Sequence, residues 1–170
     1  TRPLFLWCSH LRPHSPYDPP QFFWDMYINR QLPEAPVGDW ASQFDVTGPG
    51  LGRTAYFGRL TPEQNQRMRA GYMGCVTHID YQLGYRMERV RQELGGNVLW
   101  IFTSDHGDMM GDHHLHRKCY AYEGSARIPF VVQYPADASW PTGTFEQVVG
   151  LQDVMPTILE AAGVDVPPSV

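Results

Sequence analysis

The sequence predicts an α/β fold in which a largely parallel sheet is flanked by helices. Short apolar runs of strand length alternate along the chain with segments of helical periodicity, and the run at residues 98–103 (VLWIFT) is apolar throughout. A strand that is apolar on both of its faces is typical of a sheet covered on both sides, as parallel sheets are. The alternation of strands with helices indicates the same architecture.

Four strands are predicted from the apolar runs. They cover residues 4–8, 98–103, 128–134 and 145–150. Each run has the length of a strand rather than that of a helix. The first strand leads into a proline-rich stretch, residues 12–20, which is expected to be irregular because proline lacks an amide hydrogen and restricts its neighbours. Cys8, at the end of the first strand, is expected to lie in the core.

A long helix is predicted to begin after Thr61. Thr61 and Gln64 have the spacing of a capping box, and Pro62 occupies the first helical position, where an amide hydrogen is not needed. Apolar residues then recur every three or four positions, and the helix is expected to end at Gly95. These residues are Met68, Tyr72, Cys75, Ile79, Leu83, Met87, Val90 and Leu94. A shorter helix is expected from Asp153 through residue 162.

The composition excludes several classes of protein. The 170 residues carry 13 Lys and Arg against 18 Asp and Glu, a formal net charge of −5. A nucleic-acid partner held by a basic surface is therefore not expected. No run of about 18 apolar residues is present, so no membrane-spanning helix is expected in this segment. The three cysteines, Cys8, Cys75 and Cys119, form no C-x-x-C pair and predict neither a zinc ribbon nor a disulfide framework.

The densest ionisable chemistry follows the predicted strand at residues 98–103. Residues 103–118 (TSDHGDMMGDHHLHRK) contain three aspartates, four histidines and one lysine. In open α/β sheets, ligands bind beyond the carboxyl ends of the strands. Asp105 and His106 stand at such an end, and Gly107 relaxes the backbone so that a carboxylate and an imidazole can converge on one divalent cation. The alternative is that Asp105 caps a loop and His106 is merely exposed.

This stretch resembles the second metal motif of the sulfatases, in the alkaline phosphatase superfamily. The pattern T-S-D-H-G-D-x-x-G-D-H, followed by Lys118, carries the resemblance, and residues 127–130 (RIPF) and 154–159 (VMPTIL) extend it. The resemblance implies that Asp105 and His106 are metal ligands, for calcium in the family, and that Lys118 contacts the sulfate. Because calcium prefers oxygen ligands, the histidine leaves manganese open as an alternative.

Residues 13–17 (PHSPY) resemble a further motif of the family, P-H-x-P-[FY], which supplies an active-site histidine. The resemblance makes His14 the group that protonates or hydrogen-bonds the leaving-group oxygen. An imidazole suits this role because it exchanges a proton near neutrality. Near a sulfuryl group, the Lys118 ammonium would stabilise the charge on the ester oxygens as the bond breaks.

The nucleophile of the family lies in C-x-[PA]-x-R, whose cysteine is converted to formylglycine. Residues 8–12 (CSHLR) imitate this motif, but His10 stands where proline or alanine is required. The early pair of aspartates that completes the metal site in the family has no counterpart either. Residues 1–170 are therefore expected to be the middle to C-terminal part of a single alkaline-phosphatase-like catalytic domain, without its N-terminal nucleophile region and its C-terminal subdomain.

The resemblance implies metal-dependent hydrolysis of a sulfate ester of a small molecule or carbohydrate, with a formylglycine nucleophile from the missing N-terminal part. Two alternatives stay open. Phosphonate monoester and phosphodiester hydrolases of the same superfamily use similar motifs, including the Asp-His pair. A non-catalytic relative could also hold a metal in its histidine-rich loop, although metal storage requires neither His14 nor Lys118.

Overall fold

The computed structural model describes residues 4–135 and 137–169. The chain divides into two compact units. The sheet unit comprises Thr1–Cys8, Val90–Asp105 and Pro129–Val170, and the helical unit comprises Ser9–Arg89 and His106–Ile128. Within the described ranges, no helix is long and apolar enough to cross a membrane.

Four α-helices and five strands make up the regular structure of the described residues, together with three 3₁₀ turns. The α-helices are α1 (Gln21–Asp25), α2 (Pro62–Leu94), α3 (Glu123–Ala126) and α4 (Val154–Ala161). The strands are β1 (Gly48–Pro49), β2 (Tyr56–Phe57), β3 (Trp100–Thr103), β4 (Leu115–His116) and β5 (Phe130–Gln133). The 3₁₀ turns are Asp39–Phe44, Asp112–His114 and Leu151–Asp153.

The long helix α2 begins and ends where the sequence predicts. The Thr61 amide donates to Gln64 Oε1 at 2.9 Å, and the Gln64 amide donates to Thr61 Oγ1 at 3.2 Å, so the capping box is confirmed. Gly95, with a φ of +75°, follows the last helical residue. The buried face differs from the predicted apolar stripe, because its fully buried members are small. They are Ala70, Gly71, Gly74 and Cys75.

A small antiparallel sheet forms part of the helical unit. Its strand order is β1-β2-β4, with Tyr56 opposite His116 and Phe57 opposite Leu115. Beside it, four buried residues form the core, and Phe44 and Phe57 pack against them. The four are Ala55, Met109, Leu115 and Tyr120. Because Met109 and Leu115 belong to the ionisable stretch, this core fixes the backbone that carries the candidate functional residues.

The sheet unit contains one antiparallel pair, β3 and β5, in which Phe102 lies opposite Val131. The two strands confirm the predictions at residues 98–103 and 128–134 within shorter bounds, and α4 confirms the second helix. The strands predicted at residues 4–8 and 145–150 are wrong, because a strand requires a ladder partner and neither segment enters a described ladder. Cys8 is exposed, so its assignment to the core is also wrong.

The predicted mixture of helices and strands is confirmed, whereas every strand pair among the described residues is antiparallel. An apolar run indicates that both faces of a strand favour burial. It does not indicate whether the neighbouring strand is parallel or antiparallel. Phe102 and Val131 are in fact 46% and 57% exposed, so one face of the β3-β5 pair is open in this chain. The largely parallel sheet therefore stays a prediction.

Candidate active site

His14 lies in the proline-rich loop that the sequence predicts to be irregular. Across this loop, Arg12 forms an ion pair with Asp18 at 2.7 Å. The His14 ring nitrogen Nδ1 donates to the backbone carbonyl of Ser15 at 2.8 Å. Because a neutral imidazole carries one N–H, this bond assigns the proton to Nδ1 and leaves the lone pair on Nε2. The loop thus sets both the direction and the tautomer of the ring.

Lys118 follows a loop with an unusual backbone. The Met109 amide donates to the Arg117 carbonyl at 2.8 Å, which closes the loop on itself. In the described part of the chain, all non-glycine residues with positive φ lie between positions 110 and 119. They are Met110, His113, His114, Arg117 and Cys119. Such conformations cost energy in non-glycine residues, and they persist where surrounding contacts hold them, often at functional sites.

Lys118 connects the two loops. Its ammonium donates to Nε2 of His14 at 2.9 Å and to Nε2 of His106 at 2.8 Å. His106 Nδ1 donates to the Gly107 carbonyl at 2.7 Å, so both imidazoles present an Nε2 lone pair to the same cation. An ammonium has three N–H donors, and these two bonds leave one for an anionic ligand. The structure therefore brings together three of the four predicted site residues.

Asp105, the fourth predicted residue, is exposed and directly precedes His106 in the chain. His106 is half-buried, and the carbonyl that accepts its Nδ1–H is the kind of partner that orients metal-binding histidines. Two ligands do not complete a site for a divalent cation. No group of three His, Cys, Asp or Glu side chains among the described residues could hold one. The His106 ring is thus oriented as the ring of a metal-binding histidine would be, and the assignment of Asp105 and His106 as ligands stays a prediction.

Asp108 and Tyr17 form a contact that the sequence did not assign. The Tyr17 hydroxyl donates to Asp108 Oδ2 at 2.7 Å, although the two residues are 91 positions apart. Burial raises the pKa of the Tyr17 phenol, and the neighbouring Asp108 charge and hydrogen bond add to the effect. Tyr17 therefore remains a donor at neutral pH. The sequence indicated only that Tyr17 lies in the motif at residues 13–17 and that Asp108 lies in the stretch at residues 103–118.

The remaining histidines of the stretch each contact a different segment. His113 Nδ1 accepts a hydrogen bond from the Gly38 amide at 3.1 Å. His114 Nε2 lies 3.4 Å from Asp45 Oδ1. His116 is 1% exposed, and its Nε2 lies 2.9 Å from a backbone carbonyl oxygen, to which it donates. These rings attach the loop to three places in the helical unit.

Aromatic side chains line the same loop. Trp40 stacks on Tyr122 with a centroid distance of 5.6 Å and an interplanar angle of 17°, and the His113 ring lies 4.7 Å from Trp40. Trp40 is 42% exposed and Tyr122 is 40% exposed. The two side chains therefore form a partly exposed apolar surface. Tyr122, one of the two, lies four residues after Lys118 in the chain.

Comparison with known proteins identifies the family. The family model described as Sulfatase matches residues 1–164. An arylsulfatase of Clostridium perfringens (strain 13 / Type A) is 42% identical over 174 residues, covering 100% of this chain and 36% of that protein. The chain belongs to the sulfatase family. A choline-sulfatase of Rhizobium meliloti (strain 1021) is 31% identical over 169 residues, covering 96% of this sulfatase chain and 32% of that protein.

Two solved structures extend the comparison. A phosphonate monoester hydrolase of Agrobacterium radiobacter has a TM-score of 0.60 at 29% identity, covering 74% of this chain and 28% of that one. BT4656, solved in complex with its substrate D-glucosamine-2-N,6-O-disulfate, has a TM-score of 0.54 at 28% identity, covering 62% and 21%. The likenesses agree with the predicted α/β fold of the alkaline phosphatase superfamily. The sulfatase chain spans about a third of the length of the two curated relatives, 36% and 32%.

Proposed function

We propose that the protein containing this chain is a sulfuric ester hydrolase, which cleaves a sulfate ester to an alcohol and sulfate. The observation that carries the proposal is the Lys118 ammonium, held between the Nε2 atoms of His14 and His106 with one N–H donor left over. A compact cation with an available donor suits a sulfuryl oxygen, whose negative charge it stabilises. Membership of the sulfatase family supports the same reaction.

In this proposal, His14 acts on the leaving-group oxygen and Lys118 acts on the sulfuryl oxygens. As the S–O bond breaks, the leaving oxygen gains negative charge and takes up a proton. In this structure Nε2 of His14 accepts a hydrogen bond from Lys118, so it first takes up a proton from solvent and separates from the ammonium, and it then gives that proton to the leaving oxygen while Nδ1 stays bonded to the Ser15 carbonyl. Lys118 stays charged and turns a donor to the sulfuryl oxygens, where it offsets their negative charge.

Asp105 and His106 are the proposed ligands of a divalent cation, calcium by the family resemblance and manganese as the alternative. Such an ion, when bound, supplies Lewis-acid and orienting chemistry at the sulfuryl oxygens. His106 would bind the ion through Nε2, in a direction set by its Nδ1 bond to the Gly107 carbonyl. Because that lone pair accepts from Lys118 in this structure, the ion would replace this hydrogen bond. The further ligands and a formylglycine nucleophile are proposed to come from outside residues 1–170.

The proposed substrate is a small-molecule or carbohydrate sulfate ester, and a nucleic acid is not expected at a net charge of −5. The partly exposed rings of Trp40 and Tyr122 support this class, because aromatic faces bind the apolar faces of sugars and aryl groups. A sulfated glucosamine is the substrate in one of the similar structures.

We also propose that residues 1–170 are the middle to C-terminal part of one catalytic domain, whose complete sheet is largely parallel. The partial coverage of the curated relatives supports this organisation. The test is the coding sequence upstream of the Thr1 codon, where a C-x-[PA]-x-R motif preceded by an Asp-Asp pair is expected. A Ser or Thr nucleophile there would move the protein towards the phosphate-handling relatives, and no nucleophile at all would overturn the enzymatic proposal.

A phosphonate monoester or phosphodiester hydrolase is the second candidate, favoured by the likeness to the hydrolase of Agrobacterium radiobacter. A non-catalytic metal-binding relative is the third, and His14→Ala separates it from the enzymes. The enzymatic proposal expects that the complete protein carrying this change loses turnover and keeps its bound metal. The control is His114→Asn, since asparagine tolerates the positive φ of that position. Unchanged turnover in His14→Ala would remove the role given to His14.

A further inference from the structure

Asp108 binds both of the loops that carry the candidate site. Its Oδ2 accepts a hydrogen bond from the hydroxyl of Tyr17, in the proline-rich loop, at 2.7 Å. Its Oδ1 accepts hydrogen bonds from the backbone amides of Met110 and Arg117, each at 3.1 Å. Arg117 directly precedes Lys118. One carboxylate therefore connects the proline-rich loop to the backbone from which Lys118 extends.

Both of these amides belong to strained residues. Met110 has a φ of +47° and Arg117 a φ of +68°. Non-glycine residues avoid this region because Cβ approaches the following carbonyl oxygen, so a contact must offset its cost. A carboxylate that accepts two amide hydrogens is such a contact, since hydrogen bonds to a charged acceptor are stronger than neutral ones. Asp108 thus stabilises the backbone conformation that directs Lys118.

Tyr17 is itself held in place by α2. A side chain at Gly71 would come within 2.5 Å of the Tyr17 carbonyl oxygen, so the loop and the helix are in direct backbone contact. The Tyr17 ring packs edge-on against Tyr72 with a centroid distance of 5.9 Å. Because burial and then the Asp108 charge raise the pKa of Tyr17, its hydroxyl keeps donating at neutral and mildly alkaline pH. The Tyr17–Asp108 bond is therefore a persistent connection between loop and site.

We propose that Asp108 is a positioning residue for His14 and Lys118, acting through Tyr17 and through the amide of Arg117. What the positioned pair does rests on the sulfate-ester hydrolysis proposed above, whereas how the pair is held rests on the contacts alone. Asp108 is not assigned a catalytic role. A carboxylate has about four acceptor positions, and three of those of Asp108 are used by bonds to the protein.

The test compares three variants of the complete protein. Tyr17→Phe removes one oxygen atom and its bond to Asp108, and Asp108→Asn keeps the shape of the side chain with fewer acceptor positions. The matched control is Asp112→Asn, because Asp112 is a carboxylate of the same loop whose ion pair is with Arg69, at 3.8 Å. The structural readouts are the NMR signal of Lys118 Cε in lysine-labelled protein and amide hydrogen exchange over residues 109–118. The signal that is lost in Lys118→Met is assigned to Lys118, the one lysine of these 170 residues.

In Tyr17→Phe and Asp108→Asn, we expect the Lys118 signal to shift and the amides to exchange about tenfold faster. Asp112→Asn should change neither. Tyr17→Phe should lower kcat by about tenfold to a hundredfold with little change in KM, as expected when groups around a site are misplaced. Because both changes break the same bond, Tyr17→Phe should add little to Asp108→Asn.

An unchanged Lys118 signal together with unchanged exchange in Tyr17→Phe would overturn the positioning role. That variant decides the question even where Asp108→Asn does not fold, since it removes only a hydroxyl. The proposed function and the positioning role of Asp108 can be disproved independently of each other. A complete protein that hydrolyses no sulfate ester would contradict the proposed function, whereas the Lys118 signal and the exchange rates would still decide the role of Asp108.

Discussion

The Nζ atom of Lys118 lies 2.9 Å from Nε2 of His14, a residue 104 positions earlier in the chain. The same ammonium lies 2.8 Å from Nε2 of His106. Two neutral imidazoles therefore direct their lone pairs at one cation, and the cation retains a donor for a ligand. The arrangement joins the two segments that the sequence identified separately, and each prediction below removes one of its parts.

Lys118→Met should lower kcat/KM for a sulfate ester by about a hundredfold to a thousandfold, because methionine has a similar length without the charge or the donors. Release of 4-nitrophenol from 4-nitrophenyl sulfate by the complete protein measures the effect. The control is Arg127→Met, which removes an 80% exposed cation paired with Glu123 in a contact of little energetic value. A similar loss in both variants would count against a specific role for Lys118.

His106→Ala should weaken the affinity of the complete protein for its divalent metal by about tenfold to a hundredfold, since an oriented imidazole ligand is lost. Calorimetric titration with Ca²⁺ and with Mn²⁺ measures the change and shows which ion the site prefers. His114→Asn, which alters a histidine of the same loop that pairs with Asp45, should leave the affinity unchanged. Equal affinities for wild type and His106→Ala would contradict the assignment of His106 as a ligand.

Gly107→Ala should destabilise the complete protein by about 1–3 kcal/mol, because the added methyl group would collide with the Gly124 carbonyl oxygen. The Gly107 amide also donates to the Ser125 carbonyl at 2.8 Å, so the backbone cannot shift without loss of that bond. Gly84→Ala is the control, since nothing lies within 4 Å of its added methyl group in α2, and it should stabilise the helix. Equal changes in the free energy of unfolding, measured with denaturant, would contradict the close approach.

Stability should decrease in acid partly through His116. Burial lowers the pKa of its imidazole below the ordinary value of 6.5, and among the described residues its buried Nδ1 has no hydrogen-bond partner. Below pH 6.5, the unfolded chain therefore binds a proton that the folded chain does not, so this contribution is present above 6.5 and is lost as the pH falls below it.

His116→Gln tests this pH dependence, because glutamine keeps a donor for the Gly58 carbonyl and does not titrate. The free energy of unfolding of the complete protein is measured between pH 7.5 and 5.5 in wild type and variant. The variant is expected to lose less stability over this interval. Parallel curves would show that His116 does not contribute to the acid sensitivity.

Local signals predicted the parts of the fold that depend on near neighbours. The capping box at Thr61 and Gln64 and the glycine that follows Leu94 delimit α2 because helix ends are fixed within one turn. Strands depend on partners elsewhere in the chain, and this is why the runs at residues 4–8 and 145–150 were mistaken for strands. For the same reason, the apolar runs do not determine whether neighbouring strands are parallel or antiparallel.

The candidate site was predicted through its motifs and not through its geometry. The sequence identified His14, His106 and Lys118, and only the fold shows that the three side chains meet at one ammonium. The contact of Asp108 with Tyr17 could not be predicted from the sequence, because it joins positions 91 residues apart. The positive φ angles around Lys118 also lack a sequence signal, since the residues that adopt them are not glycines.

The ratio of kcat/KM for 4-nitrophenyl sulfate to that for a 4-nitrophenyl phosphonate monoester, measured on the complete protein with its metal, tests the central claim most directly. Both substrates release the same alcohol, so the ratio reports how the site treats the sulfuryl and the phosphonyl group. The account predicts a ratio above about ten, which corresponds to about 1.4 kcal/mol of preferential transition-state binding. A ratio below one, or no turnover of either ester, would contradict it.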